Sequence, residues 1–182
     1  MTKVKVSEVK KHLKSYSNEN LIRLIVELSK TRKEAQSFLA AEVQGEAAVA
    51  ELHKEVKTQI QNAFFPRKGE PKLRLSQAKK AISNFAKYTD DQFLKTDLML
   101  YYVELGTEFT VAYGDIDGPF YYSLATMFDQ VADACNRDER LYQQLSERLE
   151  AVISNARGVG WDYLANLAES YYSIEWLADE EE

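Results

Sequence analysis

Apolar residues recur along this chain at intervals of three and four, segment after segment, and no other feature restricts its fold as tightly. Leu21, Leu24, Ile25 and Leu28 share one face of a 3.6-residue helix. So do Val49, Leu52, Val56 and Ile60, and again Phe120, Leu124, Phe128, Val131 and Cys135. Leu141, Leu145, Leu149, Val152 and Ile153 repeat the pattern. Seven glycines and three prolines in 182 residues supply too few turns for a β-rich chain. The expected class is all-α: about nine helices with short loops, in an irregular antiparallel bundle or a short α–α superhelix.

Capping residues place the boundaries. Ser7 is expected to open a short first helix and Ser17 the second, while Thr31 with Glu34 reads as a capping box for a third that turns Phe38 and Leu39 inward. Gly45 breaks the chain before a fourth helix, over about 46–62. The run from Pro66 to Lys72 is a loop, and Ser76 caps the fifth helix, with Ala78, Ile82, Phe85 and Ala86 facing the core. Thr89 with Gln92 starts a sixth over about 90–112. Pro119 suits the first turn of the seventh, Asn136 with Glu139 caps the eighth, and Gly158-Val159-Gly160 leads into a ninth bearing Trp161. The sixth is apolar nearly all round, including Leu98, Leu100, Tyr102, Val103, Leu105 and Phe109, so it should lie at the centre. Residues 1–178 are expected to form one domain, with a sub-boundary near 66–75, followed by a frayed acidic tail over 179–182.

With 45% hydrophobic and 29% charged residues the chain is globular, not disordered. The charged start carries no secretion signal, and the longest apolar run, Leu98–Val103, is far too short for a membrane span, so cytoplasm is the expected setting. Cys135, alone, excludes an internal disulfide and a cysteine metal cluster. His12 and His53 have no acid and nucleophile arranged around them, and no phosphate loop is present. No catalytic residue, metal or cofactor is assigned. Charge is divided: residues 1–95 hold 19 basic and 11 acidic residues, a net +8, whereas 96–182 hold 4 and 18, a net −14. Such asymmetry accompanies nucleic-acid contact or an acidic partner face, or it ties the two halves together.

Two groups of residues are candidates for binding. Asp97, Tyr101, Glu104 and Glu108 are spaced 4, 3 and 4 on one face of the sixth helix, with Asp115 and Asp117 just beyond. Carboxylates on so apolar a helix are costly to bury unpaired. They form its wet face, pair with basic residues of the N-terminal half, line a groove for a basic ligand, or hold a hard cation. The second group, Arg67, Lys68, Lys72 and Arg74, lies beside Phe64 and Phe65, a composition suited to phosphate contact and base stacking, or to a structural loop anchored by the two rings. The pairs Tyr101-Tyr102, Tyr121-Tyr122 and Tyr171-Tyr172 suit a recognition surface or a helical core.

The segments FFPRKGEPKLRLSQAKKAI, DLMLYYVELGTEFTVAYGDIDGPFYYS and GVGWDY resemble a family of bacterial all-helical proteins described only as a domain of unknown function. That resemblance implies bacterial origin and a helical fold, and it transfers no activity. The expected function is a non-enzymatic protein-interaction module, binding a protein partner or a second copy. The alternatives are a nucleic-acid-associated protein using the basic half and a metal-dependent carboxylate site.

Overall fold

A computed structural model of the chain describes residues 4–180. Among them are nine α-helices and no strand: α1 Val6–Leu13, α2 Asn18–Thr31, α3 Lys33–Gln44, α4 Glu46–Phe64, α5 Leu75–Phe85, α6 Gln92–Tyr113, α7 Gly118–Arg137, α8 Glu139–Asn155 and α9 Tyr163–Tyr172. A short 3-10 helix, Glu175–Glu180, follows. No helix of the described residues is long and apolar enough to cross a membrane. Residues 181 and 182 of the acidic tail lie outside the described residues, whereas the backbone of 179 and 180 belongs to the 3-10 helix.

The all-α expectation holds, but aspartates displace several expected caps. Ser17 does cap α2, accepting from the Asn20 N–H. Asp91, not Thr89, caps α6, and Asp138, not Asn136, caps α8. Each carboxylate accepts an amide hydrogen of the first turn and suits the positive end of the helix dipole. Thr31 ends α2 by donating to the Leu28 carbonyl instead of opening α3, and α5 begins at Leu75, before Ser76. α1 likewise begins at Val6, behind Lys5. Gly45 closes α3 with φ at +62°, as its position suggests.

The chain divides after Val49, within α4, into two compact units. In the first, α2 packs on α3, yet α1 and α2 bury no residue. Leu24, Ile25 and Leu28, expected to face a core, are exposed, and so is Phe38.

The second unit is built around α6 and α7. α6 packs against α5, α7 and α8, and α7 against α6, α8 and α9. Leu98, Leu100, Tyr102 and Val103 are fully buried in α6, so a helix apolar on most sides does find neighbours on most sides. Gly106 sets the α6–α7 approach, because a Cβ there would lie 2.3 Å from the Leu124 Cδ2. The expected stripes of α7 and α8 are buried, with Ile153 only partly so, and Ala86, placed in the α5 stripe, is exposed.

The tyrosine pairs split because consecutive helical residues point about 100° apart. Tyr102, Tyr121 and Tyr171 face the core, while Tyr122 and Tyr172 face solvent. Three buried hydroxyls find side-chain partners: Tyr102 meets Ser123 Oγ at 2.8 Å, Tyr163 meets Thr107 Oγ1 at 2.7 Å and Tyr121 meets Thr110 Oγ1 at 2.6 Å.

Candidate functional site

The acids of α6 do not act as one face. Asp97, almost fully buried, receives Arg148 Nη1 at 2.6 Å from α8 and Lys57 Nζ at 2.9 Å from α4. His53 Nε2, one turn before Lys57, approaches the Asp97 Oδ2 at 2.7 Å, but not in line for a hydrogen bond. Glu104, two turns along α6, takes the other side of the same guanidinium: Arg148 Nε donates to Oε1 at 2.7 Å and Nη2 to Oε2 at 2.8 Å. Arg148 thus spans two carboxylates with three donors, a fork geometry that lysine cannot reproduce.

Tyr101 donates to Gln61 Oε1 at 2.5 Å and lies beneath Lys57 Nζ, 5.1 Å from the ring centroid. Its phenol is pushed up, first by burial and then by Glu104, Glu108 and Asp97, so it stays protonated.

The charge within this cluster is balanced, two carboxylates against two full cations. Burial pushes the Asp97 carboxyl up, but Lys57 and Arg148 together outweigh it and hold the group below its ordinary value. Burial lowers the His53 pKa, against the opposing pull of Asp97. Both groups therefore take up protons more readily when the chain is unfolded. Stability should fall with pH from about 6.5, where an unfolded histidine begins to charge, and fall further below about 4 as Asp97 protonates. Denaturation midpoints measured from pH 8 to pH 5 will decline, and His53→Gln will flatten that decline. Equal slopes in the two proteins would mean that the imidazole titrates alike in both states.

The remaining acids are placed elsewhere. Glu108 is exposed. Asp117 caps α7 through the Phe120 N–H at 2.9 Å. Asp115 Oδ1 accepts from the Tyr121 hydroxyl at 3.0 Å and from the Gly160 N–H at 3.3 Å, so it ties the loop before α7 to the loop before α9. A Cβ on Gly160 would lie 2.8 Å from Asp115 Oδ2, which is why glycine stands there. Among the described residues, no group of three or more His, Cys, Asp or Glu gathers where a metal ion could be held.

Arg67, Lys68, Lys72 and Arg74, by contrast, do come together. They ring a hollow of about 360 Å³, in a loop that closes where the Arg74 N–H donates to the Ala63 carbonyl at 3.2 Å. Phe64 packs at 5.2 Å on Tyr102, and Phe65 at 5.6 Å on Phe109. The rings anchor the loop and are not presented for base stacking.

A third feature had no forecast in the sequence. α7, α9 and the loop before α9 enclose an open groove of about 720 Å³. Trp161, expected on the ninth helix, stands before it with φ at +60°, and its neighbour Asp162 has φ at +51°. Arg148 and His53 were also missed as partners of the α6 acids, and Lys57 was foreseen only as one of the basic residues of the N-terminal half. Their spacing on separate helices carries no local signal, and His53 reads from its own stripe as a packing residue.

Residues 3–173 match the family of unknown function DUF6155, and the chain belongs to that family. No curated protein and no solved structure gives a significant match to the chain.

Proposed function

We propose that this member of a family of unknown function is a non-catalytic protein-interaction module, whose first unit receives an amphipathic helix with acidic flanks. One observation carries the reading: Val6, Val9, Ile22, Ile25 and Leu28 of α1 and α2 are between 41% and 71% exposed. Apolar surface on this scale, gathered on two short helices, marks an interaction site in a soluble chain. α1 and α2 shape a cleft of about 490 Å³ with Val9, Leu13, Tyr16 and Leu24 in its walls. Such a cleft suits a helix that anchors apolar residues one and two turns apart. Lys5, Lys10, Lys11 and Lys14 outnumber Glu8 along the same segment, so acidic flanks complement it. We place this activity in the cytoplasm, where a lone buried thiol such as Cys135 stays reduced.

Titration with a synthetic helix bearing a leucine stripe and glutamate flanks tests the reading, with a lysine-flanked twin as control. The acidic helix should bind, and Ile25→Glu, a change at an exposed position, should weaken it by about tenfold or more. Binding of both twins alike, or of neither, sinks the proposal. Concentration-dependent self-association abolished by Ile25→Glu would replace the partner with a second copy.

A second reading, contact with nucleic acid, is supported only by the four cations of the 360 Å³ hollow. In the same titration, single-stranded nucleic acid bound through them loses affinity steeply with salt, and Arg67→Ala with Lys68→Ala reduces that slope. The absence of binding at low salt removes this reading.

A further inference from the structure

The groove between α7 and α9 lies wholly in the second unit and shares no residue with the cleft of α1 and α2. Its volume, about 720 Å³, falls within the range of ligand sites. Small residues such as Gly118 and Ala125 line it beside the neutral polar Thr126 and Asn166, the aromatic Tyr121, Tyr122 and Trp161, and the acidic Asp129 and Glu169. No lysine or arginine lines it.

Two of these aromatic side chains are not there to fill the core. Trp161 is 58% exposed and Tyr122 75%, although both sit on the best-packed part of the chain. The indole lies close over the α7 start, where a Cβ on Gly118 would stand 3.3 Å from the ring, and it runs near parallel to Tyr121, centroids 6.5 Å apart. The loop that carries it is tied to Asp115 through the Gly160 N–H. Trp161 is thus held in position while more than half of its surface stays open to water. Across the groove, Asp129 accepts from Ser170 Oγ at 3.2 Å, which fixes one carboxylate oxygen and leaves acceptor capacity on the other.

We propose that this groove binds a lysine or arginine side chain presented by a partner polypeptide. The aliphatic stem lies against Trp161 and Tyr122, whose ring faces attract the cation, and Asp129 and Glu169 supply the opposite charge. Indole is the strongest of the aromatic partners for a cation, and the attraction grows as water is displaced. The second unit from Ala50 onward carries 14 basic and 23 acidic residues, a net −9, so its field draws a basic segment and repels an acidic one. The site is independent of the first-unit reading, and either can fail alone.

Calorimetric titration of the full chain with a peptide of alternating arginine and glycine tests the site, with a glutamate–glycine peptide as the control. The basic peptide should bind and the acidic one should not. Asp129→Asn combined with Glu169→Gln should weaken binding by about tenfold or more, and Trp161→Ala by a similar factor, whereas Trp161→Phe retains most of it. Glu139→Gln combined with Glu150→Gln removes the same charge from exposed positions of α8 outside the groove and should leave affinity within about twofold. Circular dichroism checks that each variant is folded, and the carboxylate pair decides the matter should Trp161→Ala unfold the chain. No binding of the basic peptide overturns the proposal. So does an α8 pair as damaging as the groove pair, which would reduce the effect to general attraction by an acidic protein.

Discussion

Leu98→Ala will lower the stability of the second unit by about 2–5 kcal/mol, the transfer loss of the side chain plus the cavity it leaves. Leu98 is fully buried on α6, the helix that packs against α5, α7 and α8, so no single neighbour can move in to refill the space. Against a total stability of about 5–15 kcal/mol, this is a large share. Urea denaturation followed by tryptophan fluorescence isolates the effect, because Trp161 and Trp176 both belong to the second unit. Leu21→Ala, on a helix that buries nothing, should leave that transition unmoved. A loss at Leu98 below about 1 kcal/mol would show that α6 is peripheral and collapses readily around the cavity.

Arg148→Ala will cost about 3 kcal/mol, more than the truncation of a partly exposed arginine ordinarily does. Its removal leaves Asp97, whose side chain is 5% exposed, with Lys57 as its only full counter-charge, and strips both oxygens of Glu104 of their donors. Two carboxylates left with one full cation between them are the expensive product, not the loss of the pair as such. Glu104→Gln should cost only about 1 kcal/mol, since Glu104 is 27% exposed and Arg148 keeps Asp97. A double-mutant cycle between Arg148→Ala and Asp97→Asn should return a coupling above about 1 kcal/mol. Additivity within about 0.5 kcal/mol would mean that solvent screens the two groups from each other.

This cluster explains how Asp97, Tyr101 and Glu104 can stand on the most apolar helix of the chain. Asp97 and Glu104 were visible as an anomaly, because carboxylates seven residues apart on such a helix demand partners. The partners themselves come from α4 and α8, separated from Asp97 by 40 and 51 residues. Nothing in a local pattern links Arg148 to them.

Much of the fold was legible because it rests on local physics. Periodicity named the helices, and the unbroken apolar surface of α6 named the one with most neighbours. Gly45 marked a real break, since only glycine accepts the left-handed turn there without strain. The caps were read less well: Thr89 and Asn136 each stand two residues before the aspartate that accepts the first-turn amides, and α3 starts behind Arg32 with no side-chain cap.

Burial was decided by the tertiary structure alone. The stripes of α2 and α7 look alike in sequence, yet Ile25 is 46% exposed and Phe128 is fully buried. A helical period states which residues share a face. It does not say whether the chain itself covers that face or leaves it for another molecule, because the cover comes from residues distant in sequence. The same reason separates the two members of the aromatic pair on the α7–α9 groove: Tyr121 and Tyr122 are neighbours in the chain, and the packing of α6 and α9 on α7 turns one inward and leaves the other open.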